Sequence, residues 1–165
     1  MTSYDYQEAL KNAAKTMVRV KNPRRLLKMI VRFIVREVGL DHASILMYDQ
    51  LKSRYIFVDS QGVKRIPVGL VKLDHSNPLI LWFSHKDRKL KLKKDYLVLN
   101  EIGSWFRDSD LVGQRPGLSA RLVQLKQVME MLKASLCVPG FYKNELLGVL
   151  LLGNKSGGES FSAEE

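Results

Sequence analysis

The chain has 165 residues, 45% of them apolar, which suits one domain with a packed core. Its longest apolar run near the end, Leu146 to Leu152, is far shorter than the roughly 20 residues of a membrane-spanning helix, and the polar start is unlike a signal peptide. The single cysteine, Cys137, excludes an internal disulfide or a cysteine-based zinc site, so the features together point to a cytoplasmic protein.

The formal charge of +10 invites an anionic partner. It is concentrated: Lys11 to Arg36 holds nine Lys or Arg and no acid, and Lys86 to Lys94 holds six against Asp87 alone.

In chain order, Tyr4 to about Val20 predicts a helix with Leu10, Ala14, Met17 and Val18 as its apolar stripe. Asn22 is placed to cap a second helix, with Pro23 at its first position and Gly39 as its stop. Leu26, Leu27, Ile30, Val31, Phe33, Ile34 and Val38 give that helix a wide apolar face. Opposite them, Arg24, Lys28, Arg32 and Arg36 follow at four-residue steps and form one basic stripe, which Lys11, Lys15 and Arg19 repeat on the first helix. Like charges so spaced repel by about a few tenths of a kcal/mol per pair. The stripe is either a solvated helix face or a contact for an acidic partner, a neighbouring domain or nucleic acid. Nucleic acid is the least favoured, because no binding motif is present and the aromatic residues are not interleaved with these charges.

His42 to Asp49 and Arg54 to Asp59 read as a hairpin turning at Gln50 to Ser53. A short strand is expected within Arg65 to Leu73, and Asn77-Pro78 begins a short helix, Leu79 to Ser84. Asp74, His75 and Ser76 before it suit helix capping better than acid–base chemistry or metal binding. Lys86 to Lys94 is a charged connection, and Asn100 to Leu118, with Gly103, Gly113, Pro116 and Gly117, reads as irregular. Leu122, Leu125, Val128, Met129 and Leu132 mark an amphipathic helix from Ser119 to Lys133. Two apolar runs, Ala134 to Tyr142 and Leu146 to Leu152, joined by Lys143-Asn144-Glu145, then predict a hairpin of two largely buried strands. Gly148 allows a ligand or another backbone to approach, or relieves packing. A loop comes next, and Ser162 with Glu165 forms a capping box where another helix would start, so the chain reads as a fragment of a longer protein.

No P-loop, dinucleotide fingerprint, zinc-ligand spacing or nucleophile elbow is present. His42, His75 and His85 are dispersed, and Cys137 lies in an apolar run where an inert buried thiol is favoured over a reactive one.

The closing segments Ala134 to Pro139, Glu145 to Lys155 and Phe161-Ser162, with the preceding helix, resemble the end of a GAF domain, and the two opening helices and first hairpin extend the likeness over nearly the whole chain. Asn154, Lys155 and Phe161 are also similar to the Asn-Lys-Phe-Asp-Glu pattern of cyclic-nucleotide phosphodiesterase GAF domains, but Glu165 stands where that pattern has Asp. The resemblance implies an α+β fold over residues 1–165: a central antiparallel sheet with N- and C-terminal helices on one face and a pocket roofed by the variable middle segment on the other. It is most similar to GAF domains that precede bacterial sensor histidine kinases.

The likeness further implies a non-enzymatic sensory domain in signal transduction, a homodimer that binds an unidentified small molecule and controls an output domain in the same polypeptide. Tyr48, Phe57, Asp74, Ser76, Trp82, Trp105 and Cys137 are the expected pocket residues, and Arg24, Lys28, Arg32 and Arg36 the basic surface. No cofactor or metal is identified. Bilin attachment is disfavoured because Cys137 lies in the penultimate strand, and methionine sulfoxide reductase chemistry because that branch uses several cysteines.

Overall fold

The strands carry near-continuous apolar runs whose successive side chains point to opposite faces, and in the computed structural model, which describes residues 3–17, 21–69, 71–84, 96–107, 113 and 117–159, those runs build a sheet packed on both faces. Six strands, β1 (Ala43–Asp49), β2 (Arg54–Gln61), β3 (Lys72–Leu73), β4 (Leu97–Val98), β5 (Leu136–Tyr142) and β6 (Glu145–Leu152), lie in the order β3-β2-β1-β6-β5-β4. Every neighbouring pair is antiparallel. Among the described residues five α-helices accompany them: α1 (Ser3–Met17), α2 (Pro23–Ile34), α3 (Pro78–Ser84), α4 (Leu99–Arg107) and α5 (Leu118–Met131). This is the α+β architecture that the sequence predicts.

On one face, Val31 of α2 packs with Ala43, Ile45 and Leu152, supported by Leu27, Ile34 and Leu150. On the other, Leu46, Phe57, Val149 and Leu151 meet α3, α4 and α5 through Leu79, Ile80, Phe83, Ile102, Leu122, Leu125 and Met129. Each such fully buried side chain contributes about 1.5–3 kcal/mol. The variable middle therefore covers the face opposite α2, as expected, and α5 joins it there. The expected C-terminal helix at Ser162 and the basic connection Lys86 to Lys94 lie outside the described residues.

Local signals explain most boundaries. Asn22 Oδ1 accepts hydrogen bonds from the N–H groups of Arg24 and Arg25 at 3.0 and 3.3 Å, and Pro23 occupies the first turn. After Ile34 the helix widens into a π-helical turn, Val35–Gly39, which ends at Gly39 with φ +74°. Asp49 Oδ1 accepts from the N–H groups of Leu51 and Lys52 and so shapes the first hairpin's turn. Lys143 and Asn144 both adopt positive φ, 48° and 67°, the requirement of a two-residue hairpin turn.

Three expectations are corrected. The stripe of α1 is rotated: Leu10 is 61% exposed and Ala14 is exposed, while Ala9 and Ala13 turn toward α2, where small side chains permit close helix approach. Of the other two expected stripe residues, the Met17 side chain and Val18 lie outside the described part of the chain. Asn100 to Leu118 is not irregular throughout, because Leu99–Arg107 is helical, with Ile102 fully buried and Trp105 and Phe106 half-buried at helical spacing around Gly103. The short strand expected within Arg65 to Leu73 is present, as Lys72–Leu73. Finally, β5 is half-exposed, with Val138 at 37% and Tyr142 at 60%, and Glu145 pairs with Tyr142, so the hairpin connection is two residues long.

Candidate functional site

The residues expected to form a pocket fall into three settings. Phe57 and Cys137 lie within the packed core on the face under α3, α4 and α5, at 4% and 0% exposure. Burial alone pushes the Cys137 thiol strongly up, the opposite of an activated cysteine.

Tyr48, Asp74 and Ser76 come together at the β1–β2–β3 end of the sheet, with His75 as the link. The Tyr48 ring packs 5.2 Å from Tyr55 and 5.4 Å from His75, and Tyr55 meets His75 edge-on at 5.9 Å. Tyr55 donates its hydroxyl proton to the Leu146 carbonyl at 2.8 Å, and burial, followed by the charges of Tyr48 and Glu145, raises its pKa. Asp74 Oδ1 accepts from the Ser76 hydroxyl at 2.5 Å and its N–H at 2.9 Å, which lowers the Asp74 pKa. Asn77 Oδ1 takes the Leu79 N–H at 3.0 Å. Asp74 and Asn77 thus serve the entry to α3, as their position before Pro78 suggests.

Trp82 of α3 and Trp105 of α4 stack 5.5 Å apart at 14°, and both are half-buried against the core. The two helices come from segments separated in sequence by the highly basic connection, so sequence spacing carried no sign of the stack. No group of three or more His, Cys, Asp or Glu among the described residues is placed to hold a metal ion.

A polar chain that sequence reasoning missed crosses the core at the other end of β1. His42 is fully buried; its Nδ1 lies 3.1 Å from the Lys133 carbonyl and its Nε2 2.5 Å from Ser44 Oγ. Ser44 Oγ is 2.7 Å from Ser60 Oγ, which accepts the Ile66 N–H at 2.7 Å. A carbonyl only accepts, so Nδ1 carries the proton. Burial lowers the His42 pKa, so the ring is neutral near pH 7 and Nε2 accepts the Ser44 proton. Ser44 then accepts from Ser60, and every member of the chain is satisfied by one tautomer. A β-bulge at Val58 makes this possible: Ile45 pairs with Asp59 but Leu46 with Phe57, which brings Ser60 opposite Ser44. The available signal was the polar pair His42 and Ser44, two residues apart on the strand side that also carries Leu46.

Beside this chain, Asp41 ties three segments together. Its carboxylate takes the Asn154 N–H at 2.8 Å and Lys64 Nζ at 2.8 Å, while its backbone N–H reaches the Asn154 carbonyl. Asn154 Oδ1 accepts the Ser135 hydroxyl at 2.5 Å, and Lys155 bridges to Leu40. The Asn154–Lys155 signature is therefore structural. Gly148 is explained as well, since a Cβ there would run into the Leu46 carbonyl oxygen and lie 2.6 Å from Met47 Sδ.

The basic stripe is exposed along its length at Arg24, Lys28, Arg32 and Arg36. Arg32 and Arg36 edge a groove of about 480 Å³ between α1 and α2, floored by Ala9, Ala13, Met29 and Phe33.

No family model matches the sequence, and no curated protein matches it. Solved structures do. The GAF domain of an Acinetobacter phosphoenolpyruvate-protein phosphotransferase superposes with a TM-score of 0.62 at 20% identity, over 99% of this chain and 84% of that one. A methyl-accepting chemotaxis protein gives 0.59 at 17%, over 92% and 84% of the two chains. The chromophore-binding domain of Stigmatella aurantiaca bacteriophytochrome gives 0.63 at 13%, over 99% of this chain and 56% of that one. Near-complete coverage with this strand order shows that the chain has the fold of a GAF domain.

Proposed function

We propose that the chain is a non-catalytic sensory domain that binds a small molecule on the sheet face covered by α3 and α4, and that occupancy there shifts the balance between states of an attached output domain. The observation that carries the reading is the fold match to chromophore-binding and chemotaxis proteins, together with the half-buried Trp82–Trp105 stack on the covering helices. Partly exposed aromatic rings on short covering elements suit a ligand with a flat apolar surface. The groups that could serve catalysis are engaged: Cys137 is buried with a raised pKa, His42 is saturated within the core, and His75 packs on two tyrosines.

The reading extends to a cytoplasmic homodimer in a two-component type of bacterial signalling system. In support, no helix among the described residues is long and apolar enough to cross a membrane, and the one cysteine is a free thiol. Because the two tryptophans of the sequence are the stacked pair, intrinsic fluorescence reports directly on this face. Titration with a panel of nucleotides, linear tetrapyrroles and nitrate should give saturable quenching with one of them, and Trp82→Ala should abolish it. A panel without quenching or thermal shift overturns ligand sensing.

A second reading, a module for an anionic partner, is favoured by the basic face of α2. Arg24, Lys28 and Arg32 form no ion pair among the described residues.

A further inference from the structure

Among the described residues, Asp41 is engaged with Lys64, Asp59 with Gln61, Glu130 with Lys126, and Glu37 with Arg36. The only carboxylate among these near the stripe is Glu37, and it takes just the Nε proton of Arg36, at 2.8 Å, out of five guanidinium donors. Apart from the Arg36–Glu37 pair, the basic face of α2 thus repels itself without compensation from these acids.

We propose that the α1–α2 groove docks an acidic amphipathic helix of a partner protein. The inference rests on the reading of α2 as an anion-binding face and adds the partner's shape. Arg32 and Arg36 stand one helical turn apart on the groove edge, so they match carboxylates one turn apart on a facing helix, Glu-x-x-x-Glu. Between the helices the apolar floor is low, because α1 contributes Ala9 and Ala13 there, with Asn12 also lining the groove, against Met29 and Phe33 of α2; Glu37 lines it beside Arg36. A third helix can lay a leucine-sized side chain on that floor, ridge into groove, while its acids reach the guanidinium groups. From Met29 to Arg36 the groove runs about 12 Å at 1.5 Å per residue, so two to three turns suffice. Nucleic acid fits less well, since its phosphates have no use for an apolar floor and no aromatic side chain is interleaved with the stripe.

The test uses the 165-residue chain and a fluorescein-labelled helical peptide with Glu at two positions one turn apart and Leu on the adjoining face, beside the same peptide with Gln for Glu. The Glu peptide should bind at least tenfold more tightly by anisotropy. Arg32→Glu with Arg36→Glu should cost at least tenfold, whereas Lys52→Glu with Lys72→Glu, the same charge change on exposed residues outside the groove, should cost less than twofold. Ala13→Trp, which fills the floor and keeps every charge, should also abolish binding. In the unaltered protein, amide shifts on titration should centre on Ala9, Ala13 and Phe33, a readout that needs no variant. Equal binding of the two peptides, equal loss in both charge variants, or shifts centred elsewhere overturns the proposal. Stronger binding of a double-stranded DNA fragment overturns the helix while sparing the anionic face; binding of neither overturns both.

Discussion

His42 Nδ1 meets the carbonyl oxygen of Lys133 at 3.1 Å across 91 residues of chain, so one neutral imidazole locks the first strand to the turn that feeds the last hairpin. Lys133 holds that turn with φ +54°, and the Ala134 N–H returns to the Met129 carbonyl. The imidazole is polar and fully buried, which makes the lock sensitive to proton uptake.

Burial, the largest influence, lowers the His42 pKa below its ordinary 6.5. Between the folded value and about 6.5 the unfolded chain binds more protons, so acidification favours unfolding. The contribution of His42 to stability is therefore present above about pH 6.5 and lost as the pH falls toward the folded pKa. Urea midpoints should drop from pH 7 to pH 5, and His42→Asn should flatten that slope. An equal slope in the variant would show that other groups carry the acid sensitivity.

Gly148 and Gly39 separate crowding from backbone strain. Gly148→Ala drives a methyl group into the Leu46 carbonyl and Met47, so the loss should reach about 2–3 kcal/mol. At Gly39 a Cβ meets nothing within 4 Å, but φ is +74°, so Gly39→Ala should cost about 1 kcal/mol. Chemical denaturation of both variants checks the order, and a larger loss at Gly39 would contradict it.

Trp82 and Trp105 should couple. Removing either indole loses the stack and part of its apolar burial, about 2 kcal/mol in all. The double alanine variant should lose less than the two single losses added, by about 0.5–1.5 kcal/mol. Near-UV circular dichroism should show the same pairing, its tryptophan bands collapsing in either single variant.

Cys137 should alkylate only when the domain opens, because the thiol is fully buried and protonated. Its labelling by iodoacetamide should speed up with urea in parallel with unfolding. Cys137→Ala should cost about 1 kcal/mol, and Cys137→Ser more, since it buries a hydroxyl in the core. Rapid labelling without denaturant would refute this placement.

The sequence by itself determined the elements whose signals are local. Asn22-Pro23, Gly39, Asn77-Pro78 and the short apolar runs of β1, β2 and β6 announce their own geometry, because caps, positive φ and bounded apolar runs act within a few residues. The closing Ala134 to Lys155 segment was enough to suggest the GAF fold. Helix α4 was obscured because Gly103 interrupts a stripe whose partners, α5 and Trp82, are distant in sequence.

Only the tertiary structure decided what depends on pairing between distant segments. The bulge at Val58 turns Ser60 rather than Asp59 toward Ser44, and no local propensity encodes that one-residue slip. Likewise Tyr48 reached His75, and Trp82 reached Trp105, through the order of strands and the crossing of helices. The basic stripe was legible as a stripe, since four-residue spacing alone creates it. That Ala9 and Ala13 leave an apolar groove beside it depended on the rotation of α1, which its weak apolar pattern could not fix.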